Sequence, residues 1–333
     1  DILSSLGYNV SLCKYDGQLD DIKTKELVGV YERNNELGNK PMKMYAARGS
    51  NLKDRIKRLD QAGFNCKSSI DDLDFSTVDL VIDATNGREN RNYLEIYKPH
   101  NLPFAINGGG LDRLVNSNYF AGVPGSIVSE GEKDYVNDNA KIVSCNTHCG
   151  TTALGILRNV LKGHEQEQSI GLGGSKYIDI TYLRRHEDPH KGKSKPEFVS
   201  IKSKDYHLDE LYHLIPQTNG KAHSTVSKWP TEYFHNVIID IDFNQDLPSE
   251  VVEKYKLALQ EYPRAIFVED ELSHEKTIKA TEWAGIPDGD LPFPTYMVNQ
   301  VHDQKLKIYA LTPQRGIVAP STADYSLMRV NKL

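Results

Sequence analysis

Apolar positions in the first 145 residues fall into short runs of two different periods. Asn9 to Tyr15 (NVSLCKY) and Pro41 to Ala47 (PMKMYAA) read as strands. Leu52, Ile56, Leu59 and Ala62 recur at helical spacing between Asn51 and Ala62, and Gly63 closes the run. Asp1 to Gly7 reads as the end of a helix stopped by its glycine. Val78 to Ala84 (VDLVIDA) is a buried-strand pattern ending in the turn Thr85-Asn86-Gly87. Leu102 to Ile106 is a short apolar strand that runs into Asn107-Gly108-Gly109-Gly110. Lys141 to Cys145 (KIVSC) is a further strand, and Thr151 to Leu161 has a strong helical pattern. Strands alternating with helices predict a doubly wound, Rossmann-like parallel sheet of the α/β class.

The pattern changes in the second half. Tyr177 to Leu183 (YIDITYL), His235 to Phe243 and Lys305 to Ala310 alternate like half-exposed strands, and Pro248 to Tyr262 is an amphipathic helix. Long alternating strands with few helices predict an α+β domain with a mostly antiparallel sheet covered on one face. The tail from about Ser321 to Val330 reads as helical.

At 333 residues the chain is long enough for two domains. Its 38% hydrophobic and 26% charged composition, with a net charge of −6, gives no reason to expect a nucleic-acid partner or an anionic membrane surface. No apolar run approaches the roughly 20 residues needed to span a bilayer. Four cysteines in such a chain do not make a disulfide framework, so Cys13, Cys66, Cys145 and Cys149 are read as reduced thiols of a cytoplasmic protein. No metal site is expected. The chain starts at Asp1 rather than Met, so a sequence missing its natural start is the expectation.

The chemistry concentrates in residues 141–154, KIVSCNTHCGTTAL. A cysteine at a strand end, just before a helix, sits beside free N–H groups that favour an anion, which predicts a lowered thiol pKa. The carboxyl end of a parallel strand is also where doubly wound folds place their sites. Spacing alone favours a buried structural cysteine over a catalytic one. Cys149, one helical turn on, is read as helix packing.

Cys145 does not stand alone. Its segment resembles the active-site cysteine segment of glyceraldehyde-3-phosphate dehydrogenases, with the S-C-N-T opening of the archaeal type. Further matches follow in order. Leu183-Arg184-Arg185-His186-Glu187-Asp188-Pro189 is similar to that type's L-V-R-R-x-x-D-P, and Asp205-Tyr206-His207, ahead of Ile215-Pro216, falls where it carries S-H-H. Pro230-Thr231 with His235 resembles P-T-T-x-x-H, and Gln314-Arg315-Gly316-Ile317-Val318-Ala319-Pro320 resembles Q-E-S-I-V-V-P. Val81-Ile82-Asp83-Ala84-Thr85 and Asn107-Gly108-Gly109 match V-V-D-A-T and Q-G-G. The resemblance spans nearly the whole chain.

It implies a division into an NAD(P)-binding domain (1–144), a catalytic domain (145–318) and a C-terminal helix returning to the first domain (319–333). Cys145 is then the nucleophile. A thiol needs a base, and His207 is the best candidate; His235 competes but reads as a structural residue at a strand start, and His213 as a surface residue. Arg184 suits bidentate contact with a phosphate, and the resemblance implies that Arg185 reaches the cofactor or the substrate phosphate. Asn146, with the backbone of the helix start, is suited to an oxyanion; a helix cap is its competing reading. Ser144, Thr147, Leu208 and His235 complete the implied substrate and phosphate contacts. Thr85, Asn86, Gly108, Gly109, Arg185, Gln314 and Thr322 are the implied cofactor contacts.

The family activity implied is reversible phosphorylating oxidation of glyceraldehyde 3-phosphate with NAD or NADP in glycolysis and gluconeogenesis. It uses inorganic phosphate, proceeds through a thiohemiacetal and a thioester on the cysteine, and is carried out by a homotetramer. Related semialdehyde dehydrogenases and acyl-phosphate reductases, or an inactive paralogue serving as a binding subunit, are the rival readings.

The chain departs from the pattern in three places. A G-x-G-x-x-G turn after a first strand is not in the sequence, so the expectation is that the first strand and its turn are missing. Gly171-Leu172-Gly173-Gly174 precedes a strand and is no substitute. After the strand ending at Tyr15, Lys14 suits a 2′-phosphate and Asp16 a free 2′-hydroxyl, leaving NADP and NAD open. Thr322 stands where the archaeal type has an asparagine that orients the nicotinamide, and Tyr206 replaces the first histidine of S-H-H.

Overall fold

The computed structural model describes residues 3, 8–14, 32, 42–48, 51–84, 93–107, 115, 117–120, 139–168, 171–185, 200–202, 206–229, 231, 233–286, 291–314 and 316–331. Asp16, Thr85, Asn86, Gly108 and Gly109 lie outside these residues. The chain divides into two compact units, Asp1–Asp79 and Leu80–Leu333.

In the first unit, strands β1 (Ser11–Lys14), β2 (Lys43–Ala46) and β3 (Ser68–Ser69) form a parallel sheet in the order β1-β2-β3. Helix α1 (Leu52–Leu59) presents Leu52, Ile56 and Leu59 to Met44 and Ala46. A wider turn, Asp60–Phe64, follows the helix, and Gly63 takes φ of 100° there, a conformation that costs a side-chain-bearing residue.

Among the described residues, the second unit forms two sheets. Strands β4 (Val81–Asp83), β5 (Phe104–Asn107), β6 (Ser117–Tyr119) and β7 (Ala140–Ile142) form an all-parallel sheet in the order β4-β5-β7-β6. Immediately after β7 comes helix α2 (Cys145–Gln168). Strand β8 (Ser175–Arg185) follows, then β9 (Ser200–Lys202), helix α3 (Tyr206–Leu214), β10 (Ala222–Trp229) and β11 (Phe234–Phe243). Helix α4 (Ser249–Glu261), β12 (Ile266–Phe267), helix α5 (His274–Trp283), β13 (Thr295–His302), β14 (Lys305–Pro313) and helix α6 (Ala319–Val330) complete the unit. The seven-stranded sheet runs β12-β13-β14-β11-β8-β10-β9. Its long central pairs, β11 with β8 and with β14, are antiparallel, while β10 with β8 and β12 with β13 are parallel.

Alternation explains how this sheet is covered. Ile178, Ile180 and Tyr182 of β8 and Val237, Ile239 and Ile241 of β11 are fully buried and pack with Leu154, Leu157 and Leu161 of α2 and with Val251, Tyr255 and Leu259 of α4. The intervening Asp179 and Asp240 stand opposite each other in register on the other face, and Asp240 pairs with Lys307. Two buried tyrosines tie α2 to its surroundings: Tyr255 donates to the Ala153 carbonyl at 3.0 Å, and Tyr296 to the Cys149 carbonyl at 2.8 Å.

The chain is therefore a mixed α/β protein with parallel sheets and one mixed sheet. Three local readings change. The helix after β7 starts at Cys145 rather than Thr151, because tertiary bonds of Thr147 to Glu210 and of His148 to Ser321 hold a polar, glycine-containing segment that propensity alone leaves open. His207 lies on a helix rather than a loop. Strands β10 and β13 and helix α5 add regular structure that their weak patterns do not announce.

Candidate active site

The first helical bond of α2, from the His148 N–H to the Ser144 carbonyl at 2.8 Å, fixes the end of the strand-to-helix turn. Cys145 is the first residue of that helix and is half-buried. Contrary to the expectation from the helix start, its thiol lies above the ordinary value. Burial is the larger effect, and the charge of Arg184, the Asn146 N–H and Arg185 pull it back only in part.

His207 supplies a neutral imidazole. It is almost fully buried, and burial, Arg184, His235 and Lys141 together hold its pKa well below 6.5. Its Nδ1 lies 2.8 Å from Ser144 Oγ and 3.2 Å from Thr147 Oγ1. Its Nε2 lies 3.3 Å from the Asn146 amide nitrogen, a donor, which suits a lone pair at Nε2. Tyr206 and Tyr182 pack against the imidazole with ring centroids 4.1 and 5.0 Å away. Leu208 packs against the core beside them.

Behind His207 lies an ion pair with no counterpart among the expected site residues. Lys141 of β7 and Glu210 of α3 pair at 2.6 Å with side chains 2% and 3% exposed. Glu210 also accepts from Thr147 Oγ1, and from the Ser144 N–H at 3.5 Å. Burial pushes its carboxyl up, and Lys141 is the strongest influence in the other direction.

The arginines have different surroundings. Arg184 Nε is buried with no hydrogen-bond partner among the described residues, and its charge acts on Cys145, Tyr206 and His207. Arg185 donates to Gln314 Oε1 and, at 3.5 Å, to the Tyr233 carbonyl. Its backbone N–H donates to His235 Nδ1 at 2.9 Å, so His235 fixes the end of β8. At the carboxyl end of the four-stranded sheet, Asn107 donates to Thr322 Oγ1 at 3.1 Å. A small cleft is lined by His148, Thr152, Arg264, Phe293 and Ser321, among others.

No protein-family model matches the chain. Among curated proteins it is similar to the glyceraldehyde-3-phosphate dehydrogenase of Methanocaldococcus jannaschii, with 24% identity over 81% of this chain and 76% of that protein. It is also similar to that of Methanococcus maripaludis, with 23% identity over 79% of this chain and 69% of that protein. Its similarity among curated proteins is to archaeal glyceraldehyde-3-phosphate dehydrogenases. Among solved structures, aspartate semialdehyde dehydrogenase II from Vibrio cholerae shares the fold, with a TM-score of 0.63 over 97% of this chain and 98% of that one at 13% identity.

Of the residues expected from the resemblance to the archaeal dehydrogenases, the structure gathers Ser144, Cys145, Asn146, Thr147, Arg184 and His207 into one network of hydrogen bonds and charges. It joins Arg185, Gln314 and His235 in a second group, and sets Thr322 on Asn107. Lys14 ends β1 in the first unit. His213 is exposed and Cys149 fully buried, with a thiol pushed up to about 12 by burial.

Sequence reasoning missed Lys141, Glu210, His148 and Asn107. The signal for the first was present: a lysine between Ala140 and Ile142, in a strand buried on both faces, demands a buried partner. Glu210, three residues after His207, shares its face of α3.

Proposed function

We propose that this chain is an NAD(P)-dependent, phosphorylating aldehyde dehydrogenase acting on glyceraldehyde 3-phosphate, with Cys145 as nucleophile. The observation that carries the reading is that one arginine charge, that of Arg184, acts both on a raised thiol at a helix start and on a buried neutral imidazole, while the Arg184 Nε has no hydrogen-bond partner among the described residues.

His207 Nε2 takes the thiol proton of Cys145 as Sγ adds to the aldehyde carbon. The backbone N–H groups at the start of α2 hold the oxyanion of the adduct. Arg184, with a buried donor to spare, binds a phosphate oxygen. Cys145 then carries the acyl group as a thioester, and attack by inorganic phosphate breaks the Sγ–carbon bond and returns the thiolate.

The donor set at the carboxyl end of the four-stranded sheet fits a nicotinamide cofactor. The Asn107 amide and Thr322 hydroxyl suit its carboxamide, and Arg185 with Gln314 suits its ribose and phosphates. The bound cofactor would supply the two-electron acceptor for the reaction. Ser144 and Thr147 orient the base, and His235 orients the end of β8 that carries both arginines.

The test is an assay of glyceraldehyde 3-phosphate oxidation with NAD and with NADP, in the presence and absence of inorganic phosphate, with aspartate semialdehyde as the competing substrate. Phosphate-dependent turnover that disappears in Cys145→Ala is expected. Turnover that survives this substitution would sink the mechanism, faster turnover of aspartate semialdehyde would reassign the substrate, and no turnover of either would favour a binding subunit.

A further inference from the structure

We infer that Glu210 is a positioning residue that fixes the tautomer of His207 through the hydroxyls of Thr147 and Ser144, with Lys141 holding its carboxylate in place. The inference rests on the reading of His207 as the base of Cys145.

Donor and acceptor accounting leads to it. A carboxylate only accepts, so the bond between Thr147 Oγ1 and Glu210 Oε2 commits the Thr147 proton to Glu210. Thr147 Oγ1 can then only accept from its other neighbours, His207 Nδ1 at 3.2 Å and Ser144 Oγ at 3.1 Å. The Ser144 hydroxyl donates to Thr147 and accepts from His207 Nδ1 at 2.8 Å. Every bond in the cluster is satisfied in one direction, with the imidazole proton on Nδ1. The lone pair is left on Nε2, beside Asn146 and next in the chain to Cys145.

The arrangement requires Glu210 to be an anion despite its burial, and Lys141 at 2.6 Å supplies the opposing charge. The other charged and titratable groups acting on this cluster are Arg184 from β8, His235 from β11, and Tyr206 and Cys145. Lys141 also lies 5.2 Å from the centre of the Tyr206 ring, which caps the imidazole. The network therefore reaches from the floor of β7 to the base.

Substituting Glu210→Gln supplies an amide that can donate to Thr147. The Thr147 proton is then free to turn toward Nδ1, and the proton of the ring moves to Nε2, where it blocks the base. The experiment is long-range proton–nitrogen NMR of histidine-labelled full chain, with His207 assigned by its loss in His207→Gln. The wild type should show the Nδ1–H form, and Glu210→Gln the Nε2–H form or a mixture, with kcat lowered about 100-fold. Thr147→Val removes the same link with little change of shape and decides the question alone if Glu210→Gln does not fold. An Nε2–H ring in the wild type, or an unmoved tautomer in the folded variants, overturns the inference. The spectra need no substrate. A tautomer shift without dehydrogenase activity would therefore refute the proposed function and leave this inference standing, and activity with an unmoved tautomer would do the reverse.

Discussion

His148 Nε2 lies 2.7 Å from Ser321 Oγ, while Nδ1 of the same ring lies 3.0 Å from the Ser144 carbonyl. One imidazole thus joins the first turn of α2 to the first turn of α6. A carbonyl only accepts, so Nδ1 carries the proton and Nε2 accepts from the serine. A second proton would place a full charge in this buried joint, and burial pushes the pKa of His148 down to about 4.

This makes the joint acid-sensitive. The folded pKa of about 4 lies below the ordinary 6.5, so between these values the unfolded chain binds the extra proton and the folded chain does not. The contribution to stability is complete above about pH 6.5 and is lost as the pH falls toward 4, amounting to of order 3 kcal/mol. Urea denaturation at pH 7 and pH 4.5 should show this loss in the wild type and a shallower dependence in His148→Gln. Equal slopes would contradict the assignment.

Removing one member of the Lys141–Glu210 pair strands the other charge in a dry interior. Lys141→Met should therefore destabilise the fold by about 3–5 kcal/mol, whereas Lys141→Met combined with Glu210→Gln should recover much of that loss. Denaturation midpoints of the wild type and the variants measure the coupling. A double variant as unstable as Lys141→Met alone would mean that the pair matters through packing rather than charge.

The thiol of Cys145 is raised by burial and restrained by Arg184. Replacing the guanidinium by an apolar chain of similar length should raise it further. Arg184→Met is expected to slow iodoacetamide labelling of Cys145 at pH 8 about threefold to tenfold, with the exposed Cys13 as internal reference in mass spectrometry. An unchanged labelling ratio would show that the arginine charge does not reach the sulfur.

The long strands β8, β11 and β14 were legible because their apolar residues alternate over many positions, and α4 because its stripe repeats over a full 13 residues. The ordered short motifs located Cys145, His207, Arg184 and Gln314 for the same reason: each pairs a chemical type with a fixed neighbour in the chain. Glu210, Asn107 and Ser321 were not legible because their roles come from contacts 63 to 215 residues away, which no local pattern encodes. The sign of the Cys145 shift failed for a related reason. A helix start is local and visible in a sequence, whereas the burial that outweighs it is a property of the assembled core.

The two buried histidines near the arginines should separate by what they lose. His207 faces the Asn146 amide nitrogen with Nε2, so His207→Ala should lower kcat by about 100-fold to 10,000-fold, far beyond the loss of stability that its burial also predicts. His235 instead accepts the backbone N–H of Arg185 at 2.9 Å. His235→Ala leaves that N–H unsatisfied in a buried strand end, at a cost of about 1–3 kcal/mol in stability. Its kinetic effect should fall mainly on KM, because the arginines are displaced rather than the base removed. Steady-state kinetics and denaturation of both variants provide the comparison. A kcat loss in His235→Ala larger than that in His207→Ala would move the base to His235.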